Sequence, residues 1–129
     1  NIELCLSSAD ILKINDEELD YLSLEYKVNN PIQWLKETYG ISKVILTKGS
    51  KGATVYWDDE VVSSDVFPVE NMKDTVGAGD SFTALFIYGL LKNLPLQENL
   101  KRASTFASLI CGQFGAIPSD LSLYDLYKL

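Results

Sequence analysis

The chain has 129 residues, of which 47% are hydrophobic and 22% charged, a balance that excludes a disordered chain and fits one soluble globular domain. Its net charge is −7, with Arg102 as its single arginine and no histidine. Nucleic acid is therefore excluded as the main partner, because binding to a phosphate backbone needs clustered Lys and Arg. The lack of histidine also excludes histidine-based catalytic triads and typical zinc sites.

Membrane insertion and secretion are not expected either. The longest run that is nearly free of polar groups, Ala84–Leu91, is far too short to cross a bilayer. No basic segment of the kind found in signal peptides opens the chain. Cys5 and Cys111 lie in apolar contexts without a CxxC partner, so we expect buried thiols in a reducing cytoplasm, with a disulfide as the less favoured alternative.

The first half of the chain alternates predicted strands and helices. A polar helix is expected to open at Asn15, and a second helix is predicted over Pro31–Tyr39, because proline suits a first helical position and Gly40 a helix end. A hairpin turn is predicted near Asp58 and Asp59. The predicted strands are Asp10–Ile14, Lys43–Thr47, Ala53–Trp57 and Glu60–Phe67.

The second half is predicted to be mainly helical. A Gly-rich turn, Gly77–Gly79, leads into a helix through Lys92 that is apolar nearly all round, so we expect it to be buried. Apolar residues at helical spacing predict the next helix from about Leu96 to Cys111, whereas Asp120–Leu129 has only a weak helical pattern. Strands alternating with helices indicate an α/β layered fold.

The Gly-rich turn is a candidate anion site. Small residues before a helix let a phosphate approach the backbone, where the first N–H groups lack partners and the helix dipole is positive. Asp80, in the first turn, could accept a proton from a hydroxyl that attacks a phosphoryl group. The alternative is a plain helix start with a favourably placed acid. No GxxxxGK[ST] or Gly-x-Gly-x-x-Gly motif supports a P-loop or dinucleotide site.

Four segments in order resemble motifs of the ribokinase-like (PfkB) sugar kinase family. Asp74–Phe82 resembles its second signature, and Ala9–Glu18 resembles the segment that ends in Asn-x-x-Glu. Thr47–Ala53 resembles the Thr-x-Gly-x-x-Gly-Ala turn, and Gly115–Ser119 resembles the Gly-Ala-x-x-Ser segment. The four motifs span residues 9–119, nearly the whole chain.

Two positions depart from this family pattern. Leu85 is bulky where the family usually has a second small residue after Ala84, which affects helix packing. Lys48 stands where the family usually has an apolar residue, and it puts a charge close to the expected nucleotide.

The resemblance implies a ribokinase-like, three-layer α/β/α fold, of which residues 1–129 would be only the C-terminal, ATP-binding portion. The N-terminal half, with the sugar-binding residues and a lid, would be absent, so we expect the isolated portion to be inactive. The parent enzyme would be a cytoplasmic, fructokinase-like carbohydrate kinase that transfers the γ-phosphoryl group of ATP to a sugar hydroxyl. Fructose is the first choice of substrate. Ribose, another ketose, a deoxyketo-sugar acid and a nucleoside stay open, as do a homodimeric parent and a non-catalytic nucleotide-binding relative.

The resemblance also implies site residues. Asp80 would be the catalytic base, and the N–H groups of Gly77, Ala78 and Gly79 would stabilise the developing charge. Asn15 and Glu18 would organise Mg²⁺ through its waters, although Asn as N-cap with Glu three residues later is also a plain capping box. The nucleotide would contact Thr47, Gly49, Ser104, Ala107 and Ser108. In members that use a monovalent cation, the positions of Asp74 and Ser119 contribute ligands to K⁺.

Overall fold

The computed structural model describes residues 1–64, 77–112, 117 and 120–127. The chain divides into two compact units, Asn1–Ser63 and Ser64–Leu129. The helices are α1 (Ile2–Ser8), α2 (Asp16–Glu25), α3 (Pro31–Tyr39), α4 (Ala78–Leu91) and α5 (Leu96–Cys111), with 3₁₀ helices at Gly49–Lys51 and Leu121–Tyr127. The strands are β1 (Leu12–Asn15), β2 (Lys43–Thr47), β3 (Ala53–Trp57) and β4 (Glu60–Ser64).

The strands form one mixed sheet in the order β1-β2-β3-β4. β1 and β2 run parallel, with Asn15 opposite Thr47, and β2 and β3 run antiparallel. The predicted bounds of β2 and β3 are confirmed, whereas β1 begins and ends later than the predicted Asp10–Ile14. The described part of β4 ends at Ser64, and residues 65–67 of that predicted strand lie outside the described residues.

Local capping signals explain the bounds of α3. The Asn30 Oδ1 atom accepts a hydrogen bond from the Gln33 N–H at 3.2 Å, Pro31 occupies the first turn, and Gly40 closes the helix at φ +72°. The predicted bounds of α3 are confirmed, and so are those of α5. Helix α1 is not predicted by the sequence analysis, because it has no side-chain cap and buries only Leu6.

The core of the first unit lies between one face of the sheet and the helices α1, α2 and α3. Leu35 is fully buried and Val44 is 1% exposed, so apolar side chains from a helix and a strand meet with little solvent between them. The other buried members of this core are Leu6, Ile14, Leu19, Leu22, Ile41 and Leu46.

In the second unit α4 and α5 pack against each other. Phe86, Leu100 and Ile110 are fully buried in this unit. The prediction that α4 is buried holds for Phe82, Phe86 and Gly89 but is wrong for Ile87 and Leu91, which are 49% and 75% exposed. A helix that packs mainly on one neighbour covers one face and leaves the other to solvent.

The prediction that both thiols are buried is also wrong. Cys5 is exposed and Cys111 is half-buried, and neither forms a disulfide. Cys5 points outward because α1 turns only Leu6 into the core. Within the part of the chain that the structure describes, none of the helices combines the length and the apolar character needed to cross a membrane.

Candidate functional site

The candidate site in the first unit lies where β1 and β2 end together. The two strands are parallel, and their last residues, Asn15 and Thr47, are register partners. Ligands of open α/β sheets bind beyond the carboxyl ends of the strands. The tertiary structure thus brings two of the sequence-predicted residues, 32 positions apart in the chain, to one edge of the sheet.

Asn15 and Glu18 form a reciprocal capping box at the start of α2. The Glu18 N–H donates to Asn15 Oδ1 at 2.7 Å, and the Asn15 N–H donates to Glu18 Oε2 at 2.9 Å. The capping interpretation is therefore confirmed, and it leaves Glu18 exposed with Oε1 outside the cap. That oxygen can still accept a hydrogen bond from water bound to a metal ion.

Among the described residues, no three His, Cys, Asp or Glu side chains lie close enough together to hold a metal ion. The role of Asn15 and Glu18 at Mg²⁺ through water stays a prediction, and it suits an ion that keeps several of its waters in proteins. The predicted K⁺ residues Asp74 and Ser119 lie outside the described residues.

The turn after β2 is closed by its own backbone. The Lys48 N–H donates to the Gly52 carbonyl at 2.8 Å, and the Lys51 N–H donates to the Lys48 carbonyl at 2.9 Å. Gly49 is exposed and has φ +53°, and a Cβ atom there would meet nothing within 4 Å. The positive φ angle, not crowding, therefore explains why a glycine occupies position 49. The turn leaves Gly49 and the half-buried Thr47 accessible to a ligand.

The candidate site in the second unit is the start of α4. Gly77 is the N-cap at φ +81°, and as a glycine it has no side chain that could cap the helix. The Ser81 N–H closes the first turn onto the Gly77 carbonyl at 2.8 Å, so the N–H groups of Ala78, Gly79 and Asp80 have no partner within the helix. Asp80 is exposed in this first turn. The local geometry thus suits an anion with a carboxylate beside it.

A cleft of about 470 Å³ lies beside Asp80 in the same unit. One wall of the cleft is aromatic, which was not predicted from the sequence: the Phe106 ring lies 5.6 Å from the Tyr124 ring and 4.9 Å from the Tyr127 ring. Arg102 Nη2 donates to the Tyr127 carbonyl at 3.0 Å and holds this wall on α5. The helical spacing of Tyr124 and Tyr127 in the C-terminal segment is the sequence signal that could have predicted this wall. The cleft is lined by Asp80, Ser81, Ala84, Leu85, Tyr88, Phe106, Tyr124 and Tyr127.

The predicted nucleotide contacts on α5 are mostly engaged within the protein. Ser104 is 8% exposed, and its hydroxyl donates to Ser64 Oγ at 2.9 Å. The Ser108 hydroxyl donates to the Ser104 carbonyl at 3.0 Å, and both Ala107 and Ser108 are half-buried. These side chains therefore offer a ligand mainly a small-residue surface, and their role at a nucleotide stays a prediction.

Comparisons with known proteins show the family of the chain. The profile of the family described as "pfkB family carbohydrate kinase" matches residues 1–122. The chain is 34% identical over 115 residues to a 1-phosphofructokinase of Haemophilus influenzae, covering 82% of this chain and 37% of that protein. It is 36% identical over 111 residues to a fructokinase of Rhizobium leguminosarum bv. trifolii, covering 84% of this chain and 31% of that protein.

Solved structures share the fold. An Arabidopsis thaliana ribokinase complexed with ribose and ATP matches with a TM-score of 0.79 and 28% identity, over 96% of this chain and 42% of that one. An E. coli protein assigned as a ribokinase II, in complex with ATP and Mg²⁺, matches with a TM-score of 0.79 and 26% identity, over 89% and 37%. The chain thus spans 31–42% of the length of these four proteins. It has the ribokinase-like α/β fold expected from its sequence, and it belongs to the pfkB family of carbohydrate kinases.

Proposed function

We propose that this chain is the ATP-binding portion of a sugar kinase, in which Asp80 is the catalytic base. The observation that carries the proposal is the start of α4, where the first N–H groups of a helix with glycine as its N-cap have no partner within the helix and lie beside the Asp80 carboxylate. An anion hole next to a base is what transfer of a phosphoryl group to a hydroxyl requires. Family membership supports the same reaction class.

In this proposal the backbone and the acidic side chain at the start of α4 have separate roles. The backbone N–H groups of Gly77, Ala78 and Gly79 stabilise negative charge on the transferring phosphoryl group. The Asp80 carboxylate takes the proton of the attacking sugar hydroxyl, and its exposure leaves it accessible to that hydroxyl.

The nucleotide contacts are proposed at Thr47 and Gly49 after β2 and at Ser104, Ala107 and Ser108 on α5. ATP and Mg²⁺ are supported by the two ribokinase complexes, which contain ATP in one case and ATP with Mg²⁺ in the other. Asn15 and Glu18 would hold Mg²⁺ through water, and the bound ion would neutralise phosphate charge. A K⁺ site that includes Asp74 and Ser119, and a cytoplasmic location, stay proposals.

Fructose is the proposed acceptor, supported by the 36% identity to a fructokinase. The chain is also similar to a 1-phosphofructokinase and to a ribokinase, so phosphorylated sugars and ribose should be tested as acceptors as well. The chain spans 31–42% of the length of these proteins, so we propose that residues 1–129 alone do not turn over ATP with a sugar.

The test measures ATP consumption by the full-length protein with Mg²⁺ and K⁺ across a panel of sugars, sugar phosphates and nucleosides. The Asp80→Asn variant should lower kcat by about 10²–10⁴-fold on the preferred acceptor. Glu98→Gln is the matched control, because it also removes an exposed carboxylate from the first turn of a helix, α5. This control should retain nearly all activity.

Equal activity of the Asp80→Asn variant and the wild type would refute the role of Asp80. Binding of Mg-ATP without turnover on any acceptor would favour a non-catalytic, nucleotide-binding relative. Failure to bind ATP would contradict both proposals.

A further inference from the structure

A buried polar side chain joins helices α4 and α5, and neither the fold nor the proposed reaction accounts for it. Asn99 of α5 is 1% exposed, and its Nδ2 atom donates to the Phe86 carbonyl of α4 at 2.9 Å. The Oδ1 atom of the same side chain lies against Gly89, where a Cβ atom would overlap it. Asn99 therefore contacts α4 at two positions that are three residues apart, on one face of that helix.

Stability does not explain why an amide occupies this position. Asn99 Oδ1 is a buried atom that has no hydrogen-bond partner in the described part of the chain. An unpaired buried oxygen costs at least as much free energy as one neutral hydrogen bond, such as that of Nδ2, contributes. An apolar side chain of similar size would fill the same space without this cost, as Leu100 and Ala103 do nearby on α5.

The amide makes the contact between the two helices directional. Apolar packing is non-directional, so helices that meet only through apolar side chains slide and rotate against each other more easily. The hydrogen bond to the Phe86 carbonyl has a preferred distance and angle, and Gly89 leaves room for the amide oxygen at one place on α4. A single buried asparagine fixes the register of helices in coiled coils in the same way. Asn99 thus fixes both the axial position and the rotation of α4 on α5.

This register matters because the two helices carry different parts of the proposed site. Asp80 stands at the start of α4, about 9 Å along the helix axis from Phe86. The proposed nucleotide contacts Ser104, Ala107 and Ser108 lie on α5. A helix moves as a stiff rod, so a shift at Phe86 displaces Asp80 by a similar distance. A displacement of a catalytic group by about 1 Å can lower the rate about 100-fold.

We infer that Asn99 is a positioning residue, which holds Asp80 at the place that proton transfer requires through its contacts with Phe86 and Gly89. This inference rests on the proposed function, because it takes Asp80 to be the base. Asn99 is buried between two helices and touches no substrate, so it acts only through the register of α4. Its removal should therefore lower turnover without lowering the affinity for the nucleotide.

The test measures steady-state kinetics of the full-length protein on its preferred acceptor for Asn99→Leu, Asn99→Ala and Thr105→Ala, well below the Tm of each. Leucine has nearly the size of asparagine but cannot donate to the Phe86 carbonyl, and alanine is too small to crowd Gly89. Both Asn99 variants should lower kcat at least about tenfold and change KM for Mg-ATP less than about twofold. Thr105→Ala is the matched control, because it removes a hydrogen bond of 2.8 Å from an α5 side chain to a carbonyl of α5 itself, that of Lys101. This control should retain nearly all activity.

The Asp80→Asn background separates positioning from general damage. If Asn99 acts through Asp80, Asn99→Leu should lower the remaining kcat of Asp80→Asn by less than about twofold. An equal fall of kcat in both backgrounds would overturn the inference, and with a lower Tm it would mean that Asn99 only stabilises the helix pair. Unchanged kcat of Asn99→Leu or Asn99→Ala would overturn it as well.

The Asp80→Asn variant by itself tests the proposed function. Full activity of this variant would refute the role of Asp80, and the inference about Asn99 would fall with it. Loss of activity in Asp80→Asn without any loss in the Asn99 variants would leave the proposed function standing and refute the inference alone.

Discussion

Replacing Gly89 by alanine tests how closely α4 and α5 approach each other. A Cβ atom at Gly89 would overlap the carboxamide oxygen of Asn99, which is only 1% exposed on α5. Asn99 Nδ2 donates to the Phe86 carbonyl at 2.9 Å, so the carboxamide cannot move without giving up this bond. Within the described residues, Asn99 Oδ1 is a buried atom without a hydrogen-bond partner, and it faces the space that the glycine leaves.

The magnitude follows from three effects. Overpacking of a close contact costs about 1–3 kcal/mol, and loss of the Asn99–Phe86 hydrogen bond costs about 0.5–1.5 kcal/mol. Alanine offsets part of this, because it is favoured over glycine in a helix interior by about 0.8–1.0 kcal/mol. We therefore expect Gly89→Ala to lower the free energy of unfolding by about 0.5–4 kcal/mol.

Urea denaturation of the full-length protein measures this change, and Gly112→Ala is the matched control. Gly112 ends α5 at φ −78°, and a Cβ atom there would lie 3.4 Å from the Leu109 carbonyl oxygen, a distance at the edge of ordinary contact. The control should be neutral or stabilised by up to about 1 kcal/mol. In the Asn99→Ala background, Gly89→Ala should cost little or nothing relative to Asn99→Ala alone, because the overlapping atom is gone. Unchanged stability of Gly89→Ala, or a loss that persists without Asn99, would refute the reasoning.

Two further predictions concern the first unit. Asn15→Ala should lower the free energy of unfolding by about 1 kcal/mol, because the capping box with Glu18 is lost, whereas Asn15→Asp should retain the cap and the stability. Denaturation curves of the two variants measure this difference. The hydrogen bond from Ser42, aided by Lys43, lowers the pKa of Asp58. This carboxylate therefore stabilises the fold at pH values above its unfolded-state pKa, and the stabilisation is lost as the pH falls through its folded-state pKa. Ser42→Ala should raise the pKa of Asp58 toward its ordinary value in an NMR titration, and no change would contradict the assignment.

Segments with strong local signals could be predicted from the sequence. Pro31–Tyr39 carries a cap, an N-terminal proline and a terminal glycine within a few residues, and Lys43–Thr47 is a compact β-rich run bounded by turn residues. The family motifs around Asp80 were equally visible, because they are contiguous in the chain. Local backbone preference and contiguous motifs therefore determined most element bounds, the fold class and the candidate base.

Contacts between distant residues were decided only by the tertiary structure. Three features depend on how elements that are distant in the chain pack together. They are the close approach of Gly89 to Asn99, the hydrogen bond from Lys48 to Thr54, and the aromatic wall that includes Tyr124 and Tyr127. The apolar pattern of α4 likewise predicted a buried helix, yet Ile87 and Leu91 are exposed while Phe82 and Phe86 are buried. Hydrophobic pattern shows which side chains can be buried, whereas packing geometry determines which neighbours actually cover them.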